Sequence, residues 1–179
     1  LVKVQQSVET ANGLPNEFYT DPTVFAEETK RLLLGQWSGI AFAGDVPEVG
    51  DVYPVELAGV PLVLVRDRDN QVRVYENVCR HRGMILVGEA GKARQGMRCP
   101  YHSWTYDLNG RLIATPLVGG PDANHHPCIH KPDLGLLEVP AHVYLGVVYV
   151  NVSRDAGPFK QMHSKLLDRW AEFEQPLYF

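Results

Sequence analysis

Two short segments gather side chains suited to holding a redox-active metal: Cys79-Arg80-His81, and Cys99-Pro100-Tyr101-His102, with seventeen residues between His81 and Cys99. Each offers one thiolate and one imidazole. A mixed-ligand [2Fe-2S] centre needs that division, because one of its irons takes two thiolates and the other two neutral imidazoles. Replacing two anionic thiolates by neutral rings leaves such a centre less negative. An electron is then added more easily, and the potential falls at roughly −150 to +300 mV. His81 and His102 would each bind iron through one ring nitrogen and keep the other N–H for a carboxylate or carbonyl, including one on a partner.

Other readings of these groups are weaker. Tetrahedral zinc accepts two Cys and two His, but zinc modules usually pair Cys with Cys and His with His along the chain. Cys128-Ile129-His130 repeats the Cys-x-His spacing and could form a set with Cys99 and His102. It lies in a stretch rich in Pro, Gly and His and lacks the Arg-Gly that follows His81, so Cys128 is expected to be a plain thiol. His125 and His126, adjacent in the same polar stretch, are expected to face solvent or be hydrogen-bonded. His163 and Asp168, five apart on a predicted helix, point to different sides and are given structural or surface roles.

The elements that must position these groups are mostly strands. Asp21-Pro22 ahead of Val24, Phe25, Leu32, Leu33 and Trp37 predicts an N-terminal helix with Asp21 as N-cap and Pro22 at its first position. β-Branched runs at 52–57, 60–66 and 71–76 predict an antiparallel meander. Residues 104–108 and 111–113, joined by Asn109-Gly110, predict a hairpin with positive φ at both turn residues. Residues 115–133 read as a long loop, 136–143 and 146–152 as strands around Leu145, and 159–173 as a terminal helix.

Composition narrows the class. A chain of 179 residues with a net charge of −4 can bury one core without disulfide staples, and nothing marks it for nucleic acid. The longest apolar runs, near 60–65 and 145–150, fall far short of the ~20 residues that cross a bilayer. No basic segment leads into an apolar run, and three cysteines make no disulfide framework, so a cytoplasmic location with no membrane partner is expected. The first residue is Leu1, and a trimmed or processed start is expected.

The sequences Cys79-Arg80-His81-Arg82-Gly83 and Cys99-Pro100-Tyr101-His102-Ser103-Trp104 resemble the Rieske motif of ring-hydroxylating and related Rieske non-haem iron oxygenases. Asn16-Glu17-Phe18-Tyr19-Thr20-Asp21-Pro22, with the helix ending at Trp37, and Trp104-Thr105-Tyr106-Asp107-Leu108-Asn109-Gly110 are similar to the N-terminal half of their large (alpha) subunit. The resemblance implies a mostly β fold: a Rieske-type antiparallel β-sandwich with a cluster-binding subdomain of two loops, flanked by N- and C-terminal helices. The corresponding organisation is a helical segment at 1–40, the cluster domain at 41–155 and a C-terminal helix or linker at 156–179. It also implies a [2Fe-2S] cluster held by Cys79, His81, Cys99 and His102, with Arg82, Tyr101 and Trp104 close around it.

In that family the chemistry occurs at a mononuclear Fe(II), bound by two histidines and a carboxylate in a catalytic domain. That domain is expected to lie outside these residues, which leaves no catalytic residue here and a role confined to electron transfer. The implied partners are a ferredoxin or flavin reductase carrying electrons from NAD(P)H, and the catalytic domain of the same or a neighbouring subunit in a trimer. The implied substrate is an aromatic ring or a quaternary amine. A free-standing Rieske ferredoxin is the alternative, although it would need neither the first fifty residues nor the tail. Respiratory Rieske proteins carry extra cysteines where this chain has Met84 and Tyr101, so no inter-loop disulfide is expected. They also place a serine hydroxyl near the bridging sulfide where Trp104 stands, and its loss predicts a potential toward the low end of the range. Ser103 replaces a glycine common in the oxygenases. Arg80, Arg82, Lys92, Arg94, Arg98 and Arg111, against Glu89 and Asp107, predict a locally positive face.

Overall fold

The computed structural model describes residues 2–174. Helices α1 (Glu17–Thr20) and α2 (Pro22–Glu28) continue through a π-helical turn, Thr29–Leu33, to β1 (Ser38–Phe42). Next come β2 (Asp51–Leu57), β3 (Val60–Arg66), β4 (Val72–Glu76), β5 (Gly91–Lys92), β6 (Met97–Arg98), β7 (Thr105–Tyr106) and β8 (Leu112–Ala114). Strands β9 (Glu138–Val139), β10 (Ala141–Tyr144) and β11 (Val147–Val150) precede α3 (Phe159–Met162) and α4 (Ser164–Trp170). The Asp21 carboxylate accepts from Thr23 N–H at 2.7 Å, so α2 begins where its cap and Pro22 require.

The strands form three antiparallel sheets, ordered β1-β11-β10, β5-β2-β3-β4-β9 and β6-β7-β8. The five-stranded sheet lies between two cores, and β3 shows why. Its residues 62–65 are all fully buried, and strand alternation sends them to opposite faces. Leu62 and Leu64 pack with Val46, Val74, Val139, Val148 and Val150, while Val63 and Val65 join Tyr75, Cys79, Leu86, Cys99, Trp104 and Tyr106. The second core carries both cysteines of the Cys/His segments, so the central sheet is the floor on which those segments rest.

Three details differ from what the sequence predicts. The expected strand at 136–143 divides at Pro140, which has no N–H for a ladder: β9 joins the five-stranded sheet and β10 the three-stranded one. The 107–111 turn has positive φ at Gly110 but not at Asn109. It is closed instead by the Asp107 carboxylate, which accepts from Asn109 N–H and Arg111 N–H at 2.9 Å each. Asp67 closes the β3–β4 turn the same way, accepting from Asp69 N–H and Gln71 N–H. Positive φ at both turn residues occurs at Ala58-Gly59 and Leu145-Gly146. The terminal helix breaks at His163, whose ring stacks on Phe159 with centroids 4.5 Å apart and whose Nδ1 lies 3.0 Å from Phe159 O. The last five residues of the predicted 156–179 segment lie outside the described range.

Candidate metal centre

Both Cys/His segments are hairpin loops built to one backbone plan. In the first, Val78 bridges to Ile85, Cys79 N–H donates to Met84 O at 2.8 Å, and Gly83 N–H donates to Cys79 O at 3.0 Å. In the second, Arg98 pairs with Thr105, Cys99 N–H donates to Trp104 O at 2.8 Å, and Ser103 N–H donates to Cys99 O at 3.0 Å. Each loop has six residues, with cysteine first and a left-handed residue fifth: Gly83 at φ 70° and Ser103 at φ 61°. Only the histidine shifts, from third place in the first loop (His81) to fourth in the second (His102).

The plan buries the thiols and leaves the imidazoles toward the rim. Cys79 and Cys99 are each 2% exposed, while His81 is exposed and His102 half-buried. The thiols lie side by side. Burial pushes the Cys99 thiol up, N–H groups of Tyr101 and His102 aimed at the sulfur pull it down, and the neighbouring Cys79 pushes it up again. The buried Tyr106 hydroxyl accepts from Arg80 N–H at 3.0 Å, which leaves its own proton for the Cys79 Sγ, 3.4 Å away. Burial and the nearby Cys79 keep that phenol protonated, against the pull of Arg80 N–H. Tyr106 was not singled out from the sequence, although it stands two residues after Trp104, on the same side of the strand.

The two imidazoles are neighbours, with ring centroids 4.7 Å apart and planes at 73°. Each is backed by an aromatic ring: Trp104 stacks on His81 at 4.6 Å and 9°, and Tyr101 leans over His102 at 3.8 Å and 36°. Burial, then His102 and Arg82, hold the His81 pKa below its usual value and favour the neutral form. His102 Nδ1 is buried with no hydrogen-bond partner. A buried ring nitrogen without a partner is costly unless something accepts its lone pair or proton, and a metal ion does so. Among the described residues, no three His, Cys, Asp or Glu side chains surround a single ion position. Thiols paired below and imidazoles paired above provide two positions, so the residues fit a two-iron cluster better than one zinc ion.

The remaining candidates lie apart from this arrangement. Cys128 is exposed and its N–H donates to His126 Nδ1 at 3.1 Å, while His130 Nδ1 lies 2.9 Å from Asp133 in a solvent-facing pair. His125 and Asp168 are exposed. The positive face is thinner than the sequence count suggests, because Lys92 sits between Glu48 and Asp51 at 2.6 and 2.8 Å. Arg80, Arg82, Arg94, Arg98 and Arg111 stay exposed. A cleft of about 470 Å³ opens beside the imidazoles, bounded by Arg98, Tyr101, Leu117 and Val118. A larger one, about 560 Å³, lies at the β4–β9 edge, where Arg73 and Arg154 are already paired with Glu138 and Glu76.

A β domain presenting two matched Cys/His loops above a buried pair of thiols is the class that fold and site define. Residues 36–131 match the family described as Rieske [2Fe-2S] domain. The alpha subunit of 2-aminobenzenesulfonate 2,3-dioxygenase from Alcaligenes sp is 33% identical over 155 residues, covering 84% of this chain and 38% of that protein. The alpha subunit of biphenyl 2,3-dioxygenase from Rhodococcus jostii (strain RHA1) is 29% identical, covering 83% and 31%. Among solved structures, a quaternary ammonium Rieske monooxygenase superposes with a TM-score of 0.80 at 26% identity, covering 90% of this chain and 44% of that one. The chain belongs to the Rieske [2Fe-2S] domain family, and its relatives are oxygenase alpha subunits. It spans less than half the length of these relatives.

Proposed function

We propose that this chain is the electron-transfer part of a Rieske oxygenase alpha subunit, with Cys79 and Cys99 on one iron of the cluster and His81 and His102 on the other. The observation that carries the assignment is the pair of equivalent loops, which bury two adjacent thiols and leave two adjacent imidazoles, one with an unpartnered buried nitrogen. When bound, the cluster takes up and returns one electron. Around it, Tyr106 hydrogen-bonds a ligand sulfur, Trp104 and Tyr101 fix the imidazole planes, and the second core keeps water from the thiols. The exposed edge of His81 and the cleft beside it give a partner direct access to the imidazole side.

The acceptor in this reading is a mononuclear Fe(II) in a catalytic domain outside residues 1–179, on the same or a neighbouring subunit, and the donor is a ferredoxin or flavin reductase. Support for the neighbouring subunit comes from a solved relative described for carnitine oxidation and inter-subunit electron transfer. The substrate is an aromatic or quaternary ammonium compound, the two classes named among the relatives. Residues 41–155 form the cluster domain and the flanking segments its attachments. No helix among the described residues is long and apolar enough to cross a membrane. Buried thiols serving as iron ligands, together with an exposed free Cys128 elsewhere on the surface, suit a reducing, cytoplasmic setting.

Anaerobic reconstitution with iron and sulfide tests the ligand assignment. A red-brown protein with an iron-to-sulfide ratio near unity and a Rieske-type EPR signal after reduction is the expected result. Cys79→Ser or His102→Ala should abolish it. A colourless protein that holds zinc in place of iron overturns the reading.

A further inference from the structure

The shared backbone plan of the two loops is met by different residue types at the fifth place. Their fifth residue must take the left-handed conformation, which glycine enters freely and an L-residue enters at a cost. The first loop meets the demand with Gly83, and the second with Ser103 at φ 61°. Ser103 follows His102 directly, so relaxation of its backbone would move the imidazole. Its hydroxyl is not idle: Arg98 Nη2 donates to Ser103 Oγ at 2.8 Å. Arg98 pairs with no carboxylate among the described residues, and it stands on β6 immediately before Cys99. The contact therefore closes the loop across its own base, from the residue before the cysteine to the residue after the histidine. No comparable side-chain contact between Val78 and Gly83 can form, because neither carries a polar side chain.

From this we infer that Arg98 and Ser103 form a clasp that positions His102. The charged hydrogen bond stabilises the serine in its left-handed state and holds the loop in the shape glycine would adopt unaided. Arg98 is thus a positioning residue acting through Ser103, and the inference rests on the ligand set proposed above. Its strength depends on the hydroxyl. If Ser103 becomes glycine, the strain and the contact disappear together, and Arg98 loses its role.

Four proteins test this: wild type, Arg98→Ala, Ser103→Gly and the double variant. In each, cluster loss under a fixed chelator challenge is followed by visible absorbance, and hydrogen exchange is measured on loop amides 99–104 with 79–84 as the internal control. Arg98→Ala should lose its cluster about tenfold faster, the change at the weaker end of what a hydrogen bond from a charged donor produces. Its exchange should rise at 99–104 and stay unchanged at 79–84. Ser103→Gly should match wild type within twofold, and the double variant should return to the Ser103→Gly value. Equal acceleration by Arg98→Ala in both backgrounds, or no acceleration in either, overturns the clasp. Failure of wild type to bind a cluster would sink the ligand assignment instead. The exchange pattern of the apoprotein then still decides whether Arg98 orders 99–104 through Ser103.

Discussion

At the residue scale, the sulfur of Cys79 shows how a neighbour sets a redox property. The Tyr106 hydroxyl is committed as an acceptor to Arg80 N–H, so its proton is directed at the thiolate. A hydrogen bond to a ligand sulfur stabilises the more negative, reduced state and raises the potential. Tyr106→Phe removes the bond and keeps the ring. The midpoint should fall by roughly 40 mV, about 1 kcal/mol of differential hydrogen bonding in a one-electron couple. Potentiometric titration followed by EPR checks the shift, and an unchanged midpoint would show that the 3.4 Å contact carries no charge-dependent energy. Tyr106 also tempers the low potential expected from Trp104, since its hydroxyl, two residues further along, reaches the Cys79 sulfur. The four proposed ligands were legible in the sequence because chemistry and spacing mark them. Tyr106 was not, because its target depends on β7 facing Cys79, and β7 pairs with β8 through an irregular register. Ser103 was legible as a departure from glycine, but its left-handed φ and its contact with Arg98 depend on how the loop closes and were not.

At the element scale, β3 and its turn into β4 carry the floor of the site. Leu64 is fully buried against the core shared with β11, and Leu64→Ala should cost about 3 kcal/mol through lost burial and an unfilled cavity. Urea denaturation with an unchanged m-value would register it. The following turn depends on Asp67, a fully buried carboxylate. Burial alone would raise its pKa, but hydrogen bonds from Gln71 N–H, Arg73 and Asp69 N–H outweigh that and hold it below its ordinary value. A depressed folded-state pKa contributes stability that is complete above the unfolded value near 3.8 and is lost as pH falls through the folded one. Asp67→Asn, which strands part of the Arg73 charge, should destabilise the domain by about 2 kcal/mol at pH 7. The gap to wild type should stay level down to pH 5 and narrow below pH 4. A gap that widens in acid would contradict the assignment. These elements were legible as β-branched runs separated by Asp- and Gly-containing turns. The mechanism of the turns was less so: Asn109-Gly110 suggested paired positive φ, whereas Asp107 repeats the carboxylate closure of Asp67. The split at Pro140 was also missed, since a run of apolar residues does not reveal that its halves serve different sheets.

At the scale of the whole molecule, charge is distributed unevenly. The chain is net acidic, yet Arg80 and Arg82 flank an exposed His81, with Arg98 on the other loop, and none of the three pairs with a carboxylate among the described residues. Lys92, which the sequence adds to this face, is neutralised by Glu48 and Asp51, so the positive potential centres on the histidine end of the site. Exposed apolar residues stand on the same loops, with Met84 43% and Tyr101 57% exposed, and Leu117 beside the cleft is 73% exposed. Unpaired cations around an apolar patch favour an acidic partner that docks by charge and then excludes water. Reduction by an acidic donor protein should therefore slow by about tenfold between 10 and 150 mM salt, as the screening length contracts from roughly 30 to 8 Å. Arg80→Gln with Arg82→Gln should flatten that dependence, chiefly by lowering the rate at low salt. Stopped-flow measurement of the second-order rate constant at several ionic strengths reads both effects. A salt-independent wild-type rate would mean that the arginines are solvated bystanders and that the apolar rim alone selects the partner.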